Sequence, residues 1–358
     1  MRVTQAVRAR FARLRDEERG AVMMIVGLSL IVFLGMLVLT VDIGRGVAFK
    51  RQVVNGTDAA ALAAAQQCAL GNGSVAAQNA ANTVLAQNVQ LPVTVTGIEM
   101  PECDSPEGTE LKTVTVTTNA DIQYFFAPIF GVADGDIATH AVAIWGVAAS
   151  ANPVPITIDM QQLMACGIVP GSPPDPDVPI ECPLEYPKDS LQEPRWGILD
   201  FEQWGDPNAA PCSVSADELK DMIDNGGYPI GMELNGDPPG SEPTMTCVDN
   251  GLSFSVWSAM EGSTLIFPII DLETSTGTEK PGGGSVPCTG ADIPALKAAG
   301  KDCQIDTVNV IGWIVLHVNS VGKHGADVTV ESATSLTTSG GLPGGTIDFG
   351  VRAVRLVD

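Results

Sequence analysis

Eight cysteines and three histidines are the side chains of this 358-residue chain best suited to chemistry. The cysteines are Cys68, Cys103, Cys166, Cys182, Cys212, Cys247, Cys288 and Cys303. An even count of this kind suits a disulfide framework in an oxidising compartment. Pairing sequence neighbours gives Cys68–Cys103, Cys166–Cys182, Cys212–Cys247 and Cys288–Cys303, although sequence alone cannot choose among the pairings. No CxxC occurs, and the spacings fit no zinc-ligand pattern. His140 and His317 fall in strand patterns and His324 in a glycine-flanked loop, none beside a nucleophile motif. G-x-S-x-G, HExxH and P-loop signatures are missing. Gly282–Gly284 and Gly340–Gly345 read as flexible turns, with no following helix to make a phosphate cradle. Asp175/Asp177 and Asp200/Glu202/Asp206 offer oxygen ligands to calcium, but without EF-hand spacing. Trp196 and Trp204 flank the second acidic loop, where a glycan surface is the functional reading and core packing the simpler one. The expectation is therefore no enzyme, no cofactor and no resident metal.

All of these residues lie beyond one apolar run. Ala21 to Val41 reads AVMMIVGLSLIVFLGMLVLTV, without charge or proline. As a helix it spans about 31 Å, the thickness of a bilayer's hydrocarbon core. The lead before it, Met1–Gly20, carries Arg2, Arg8, Arg10, Arg13, Arg15 and Arg19 against Asp16, Glu17 and Glu18. The positive-inside rule then puts the N-terminus in the cytoplasm and the rest outside. A cleaved signal would be shorter and end at a small-x-small site. This run instead continues directly into Asp42-Ile43-Gly44-Arg45, so a retained anchor is expected.

The chain carries 19 Lys+Arg and 42 Asp+Glu, a net charge of −23. Setting aside Met1–Gly20, with its six arginines and three acids, brings the remainder to −26. Such a surface argues against nucleic acid, whose binding depends on neutralising phosphates. It keeps an exported domain soluble.

From Asp42 to Leu70 the sequence stays helix-compatible and proline-free, with an alanine run at Ala59–Ala61 and Ala63–Ala65. Alanine favours helix and lets neighbouring helices approach closely. One rod to about Cys68, ended by Gly71-Asn72-Gly73, is expected. The order of features is specific: a basic lead ending Glu18-Arg19-Gly20-Ala21, the span, Val41-Asp42-Ile43-Gly44-Arg45, then Gln52-Val53-Val54-Asn55-Gly56-Thr57-Asp58 and the alanines. It resembles the N-terminus of TadE/TadG-like Tad (tight adherence) Flp pilus-assembly proteins. Three later elements resemble the strand, turn and second strand common after the helix in that family. They are Val114–Thr118, the turn Phe125-Phe126-Ala127-Pro128-Ile129-Phe130-Gly131, and Ile137–Ala143. The likeness then extends to about Ser150.

The resemblance implies an anchored component of pilus assembly, with the membrane, other Tad proteins or pseudopilins as partners. Its helix would pack on others through Gly27, Gly35, Asp58, Ala59, Ala60, Ala61, Ala63 and Ala64. Gly20-Ala21 resembles a prepilin cleavage site, but a pilin carries Glu where this chain has Ile25, so a polymerising subunit is not expected. Longer family members often carry a von Willebrand A domain with a DxSxS metal site. Thr157-Ile158-Asp159-Met160-Gln161 lacks both serines, so none is assigned.

Beyond Ala149 the composition changes. Pro153–Pro194 is proline-rich and reads as a loop tacked down by Cys166 and Cys182. Trp196–Phe201, Ser263–Ile270, Val308–Val318 and Thr346–Val357 read as strands. Ser215 and Glu218 form a capping box for a helix to Ile223, and a second helix is expected over Ile293–Ala299, stopped by Gly300. The expected fold class is α+β: a single transmembrane helix continuing into a long helix packed on a small β-sheet, then a mostly β, disulfide-stapled ectodomain. The expected parts are a basic lead (1–20), the span (21–41), a helix with small sheet (42–150), a proline-rich linker (151–195) and the β ectodomain (196–358). A single-pass cell-membrane location is expected, with an extracytoplasmic C-terminal domain acting as scaffold, anchor or adhesin. An exported sensor that binds glycan, peptide or cell envelope, with the part up to Ser150 as its stalk, is the competing reading.

Overall fold

The computed structural model describes residues 2–90, 92–105, 108–132, 134–154, 156–172, 178–185, 216–224, 232–233, 258–280, 286–322, 325–330, 334–337 and 347–357. Helix α1 (Arg2–Ala69) is uninterrupted and includes the whole apolar run. It is long and apolar enough to cross a membrane, and that stretch is not buried inside the chain. Its C-terminus closes as a Schellman motif. Gly71 adopts φ 76°, Asn72 N–H donates to the Gln67 carbonyl at 3.0 Å, and Gly71 N–H donates to that of Cys68 at 3.0 Å. Only glycine takes this left-handed conformation at little cost, which is why the helix stops there.

A second helix, α2 (Gly73–Asn88), begins at once. The sequence reading contains no such helix, although Ala77, Ala81, Leu85 and the next residue of the series, Val89, recur every four residues and are all buried. Its first turn is capped from outside: Asp104 Oδ1 accepts the Ser74 N–H at 2.7 Å. That bond holds the Asp104 carboxyl below its ordinary pKa.

Thirteen strands lie among the described residues. The first group is β1 (Val93–Glu99), β2 (Lys112–Gln123), β3 (Asp134–Val147), β4 (Ser150–Ala151), β5 (Ile158–Asp159), β6 (Ile180–Glu185) and β7 (Met232–Glu233). The second is β8 (Thr264–Lys280), β9 (Pro287–Thr289), β10 (Asp302–Gly322), β11 (Gly325–Val330), β12 (Thr334–Thr337) and β13 (Val351–Val357). One sheet runs β1-β2-β3-β13-β12, so β13 returns beside β3, with Val354 opposite Trp145. A second runs β5-β8-β10-β11-β6, with β9 also on β8. The expected α+β class, with a long helix and a mostly β remainder, is the observed one.

The fold divides into two compact units. The first comprises Met1–Thr57, Val84–Gly97 and Thr117–His140; the second comprises Asp58–Thr83, Ile98–Val116 and Ala141–Asp358. In the second unit β10 is buried on both faces. Ile314, Leu316 and Val318 join one core cluster, whereas Val308, Trp313 and Val315 join another. This accounts for the near-continuous apolar run VNVIGWIVLHV, which a half-exposed strand would have alternated.

The proline-rich segment, expected as a loop, supplies part of that core in its described residues. Val154, Ile156, Ile158, Leu163, Ile168, Cys182 and Leu184 are all buried. Pro183 is accommodated because among the described residues β6 pairs on one side only, through β11, where Pro183 faces Asp327. Helices occupy Ala216–Asp224 and Ile293–Ala298, and Gly300 comes just after the second at φ 72°. Ser215, the Trp196–Phe201 stretch, Trp204, Asp175/Asp177, Asp200/Glu202/Asp206, Gly282–Gly284, Gly340–Gly345 and His324 lie outside the described residues.

Three sequence-neighbour disulfides are formed: Cys68–Cys103, Cys166–Cys182 and Cys288–Cys303. Cys212 and Cys247 lie outside the described residues. Cys68–Cys103 closes a 35-residue separation and ties the end of α1 to the segment after β1. Late in the chain, Arg352 on β13 pairs with Asp348, at 2% and 1% exposure. Burial lowers the Arg352 pKa, and the Asp348 charge opposes that shift.

These ties set two expected outcomes. Asp348→Asn removes the carboxylate charge facing the buried Arg352 guanidinium and should cost about 3–5 kcal/mol, read from denaturant unfolding of the purified protein. Replacing Cys68 and Cys103 with serine should cost about 3–4 kcal/mol through the freed loop, read as a lower Tm in detergent.

Candidate functional site

The site is built where the apolar run ends. Asp42, the residue after Val41, is only 5% exposed. Its carboxylate accepts three backbone N–H groups from the turn between β2 and β3. Phe125 N–H donates to Oδ1 at 2.9 Å, Ala127 N–H to Oδ2 at 2.7 Å, and Phe126 N–H to Oδ2 at 3.0 Å and Oδ1 at 3.3 Å. Burial works against the charge on Asp42, but the three donors together with Arg45 outweigh it, so the pKa lies below the ordinary carboxylate value.

The turn requires such an acceptor. Ala127–Phe130 is a 3₁₀ helix, whose first N–H groups have no partner within the element. Pro128 carries no N–H, so the run of donors ends at Ala127. On the other side, Gly131 at φ 87° donates to the Pro128 carbonyl at 3.1 Å and Val132 to that of Ala127 at 3.2 Å. Asp42 thus caps a helical turn whose first bonded amide lies 83 residues downstream.

Two further contacts align α1 with β2 in the same unit. A Cβ on Gly46 would lie 3.9 Å from Ile122 Cδ1. Deeper in the unit, the fully buried Thr57 hydroxyl donates to the Val53 carbonyl at 2.8 Å and meets the Thr118 hydroxyl at 2.7 Å. Helix residues rise from Asp42 to Gly46 to Thr57 while strand residues fall from Phe125 to Ile122 to Thr118. From Asp42 to Thr57 a helix rises about 22 Å. From Thr118 to Phe125 a strand extends about 23 Å. The two lengths agree, so both ends can be fastened without bending either element. Gly56, beside Thr57, lets α2 approach: a Cβ there would lie 2.5 Å from Val89 Cγ2 and 3.4 Å from Leu85 Cδ1.

The sequence-predicted packing residues fall into three groups. Ala60, Ala61 and Ala64 are fully buried within this chain, on a stripe with Val53, Thr57, Ala65 and Cys68. Asp58, Ala59 and Ala63 are half-buried. Beyond the adjoining backbone of their own helix, Gly27 and Gly35 have nothing within 4 Å of where a Cβ would be. Of the histidines, His140 is exposed on β3, and the His317 Nδ1 is 2.9 Å from the Thr264 hydroxyl. Asp42 and the Phe125–Ala127 amides are the pair that sequence reasoning does not bring together, although each motif stands out on its own.

Residues 20–67 match the Flp pilus-assembly TadE/G-like family, and residues 49–143 match the Tad-like Flp pilus-assembly family. Together the two matches run from residue 20 to residue 143. No curated protein and no solved structure matches the chain. Asp42 lies in the first matched stretch and its turn in the second. The clamp is therefore a bond by which the two matched stretches hold each other.

Asp42→Asn keeps one acceptor oxygen and should give several-fold faster amide exchange at Phe125–Ala127, with the exchange of β10 unchanged. Because the folded pKa of Asp42 is depressed, the clamp contributes fully above the ordinary carboxylate pKa. Its contribution is lost as pH falls through the lowered value, so protection of these amides, corrected for intrinsic rate, should fall only in acid. Gly56→Leu should push α2 off α1 and cost about 1–3 kcal/mol, read by denaturant unfolding.

Proposed function

We propose that this protein is a membrane-anchored, non-enzymatic accessory of Tad/Flp-type pilus assembly, acting as a scaffold or anchor outside the membrane. The observation that carries the reading is the clamp itself. It joins the end of the apolar helix to the turn of the small sheet, within the stretch that matches the pilus-assembly families. A joint of this kind transmits position between a bilayer and an exported domain and performs no chemistry.

The orientation has two independent supports. Six arginines precede the span. Cys68–Cys103, on the far side of it, needs an oxidising compartment. Together they favour a cytoplasmic N-terminus and an extracytoplasmic C-terminal region.

The partners are other Tad components, and the contact within the membrane is the open glycine side of the span. Ala60, Ala61 and Ala64 are already covered by the chain, whereas Gly27 and Gly35 are not. Small residues of this kind allow a second helix to approach closely. Gly27→Leu with Gly35→Leu should leave the protein level and the disulfides unchanged but abolish pilus formation, scored by electron microscopy. It should also remove pilus-assembly proteins from a mild-crosslinking pull-down of the full-length chain. Normal pili in the double variant would refute the helix contact. An unmodified protein that came back alone, while binding surface glycans, would put a sensor or adhesin in place of the assembly role.

A further inference from the structure

The turn that Asp42 holds is itself apolar and faces outward. Phe125 is 67% exposed, although its backbone is hydrogen-bonded to a residue that is nearly covered. Val132, at the other end of the turn, is also exposed, as is Pro128 at its crest. Phe125 packs edge-on against Phe126, with ring centroids 4.7 Å apart, which stiffens its base without covering it. In a soluble domain such a knob would be a liability.

Its height explains it. The Phe125 amide is 2.9 Å from the carboxylate of the first residue beyond the apolar run. The turn therefore lies level with the point where α1 leaves the hydrocarbon, and its apolar surface continues that of the span at Ile43 and Val41, both exposed. Exposed Arg45, three residues on, stands about 4.5 Å further along the helix, at the height of lipid headgroups. Aromatic side chains collect at this depth because the ring can enter the acyl boundary while nearby polar groups stay wet.

We propose that the Tyr124–Val132 turn is an interfacial foot, with Phe125 inserted into the bilayer leaflet on the ectodomain side and Asp42 setting its depth. The occupant is lipid, argued from continuity with the membrane-spanning surface. This rests on the reading of α1 as a membrane anchor. A foot and a helix together give the membrane-proximal unit two points on the surface, which restrains its rotation and tilt as a single helix cannot.

The test places the photo-crosslinking residue benzoylphenylalanine at position 125 of the full-length protein in its own membrane. Parallel proteins carry it at Phe33 in the span and at Val75 on α2, and adducts are identified by mass spectrometry. The foot predicts phospholipid adducts at 125 and 33 and none at 75. Lipid at 33 without lipid at 125 overturns the foot while the anchor stands. A protein adduct at 125 in place of lipid overturns it too, by making the turn a protein contact. No lipid at 33 removes the anchor, and the foot with it.

Discussion

A buried carboxylate at the end of a long apolar stretch has few cheap ways to keep its charge, and here the cost of desolvating Asp42 is met by three backbone amides. The arrangement is reciprocal. The 3₁₀ turn has amide hydrogens that nothing in its own element can accept, and the proline at its second position prevents the chain from extending them into a longer helix. Neither half is satisfied alone. Once joined, they fix where β2 ends relative to where α1 leaves the apolar stretch. The matching rise of helix and strand then brings Thr57 to Thr118, where two hydroxyls satisfy each other in full burial. An apolar pair at that point would pack over a range of registers, whereas two buried hydroxyls that must meet accept very few.

Much of this is legible one motif at a time. The apolar run, the helix through Cys68 and the glycine stop emerge from local composition and periodicity, and the strands around Phe125–Gly131 from the resemblance to Tad-family proteins. The joint between Asp42 and the turn does not, because 83 residues separate the partners and nothing in either motif names the other. The signal that could have exposed it is one of accounting: an acid directly after a span and a Phe-Phe-Ala-Pro turn short of acceptors are complementary needs. α2 escapes notice for a different reason. Its buried face begins with alanine, and Ala77 and Ala81 give almost no contrast against the alanines around them.

The proline-rich segment shows how composition misleads near a core. Prolines at 153, 155, 170, 173, 174 and 176 suggest a linker, yet Val154, Ile156, Ile158, Leu163 and Ile168 between them are buried. Proline excludes a residue from the middle of a sheet ladder but not from its edge, and among the described residues Pro183 lies on β6 at an edge. The second disulfide ties that strand to the helix Met160–Ala165 that precedes it, through Cys166 at the helix end. A stretch that looks free in composition is thus tied to the core through its described residues.

The small-residue stripe carries the same lesson about what a pattern can and cannot specify. An alanine run at helical spacing states that something packs closely against it, and it is silent on whether that neighbour is another protein or the same chain. Here Ala60, Ala61 and Ala64 share their buried face with Thr57 and Cys68, one hydrogen-bonded and the other disulfide-bonded within the chain. Those two side chains cannot keep their partners and also turn outward. The stripe is therefore committed to the protein's own fold. The part of α1 that the chain leaves open comes before Asp42, where Gly27 and Gly35 have no residue from elsewhere in the chain beside them. The charged clamp marks the boundary between these two regimes: before it the apolar stretch of α1 is left uncovered by the chain, and after it the same helix is part of a core.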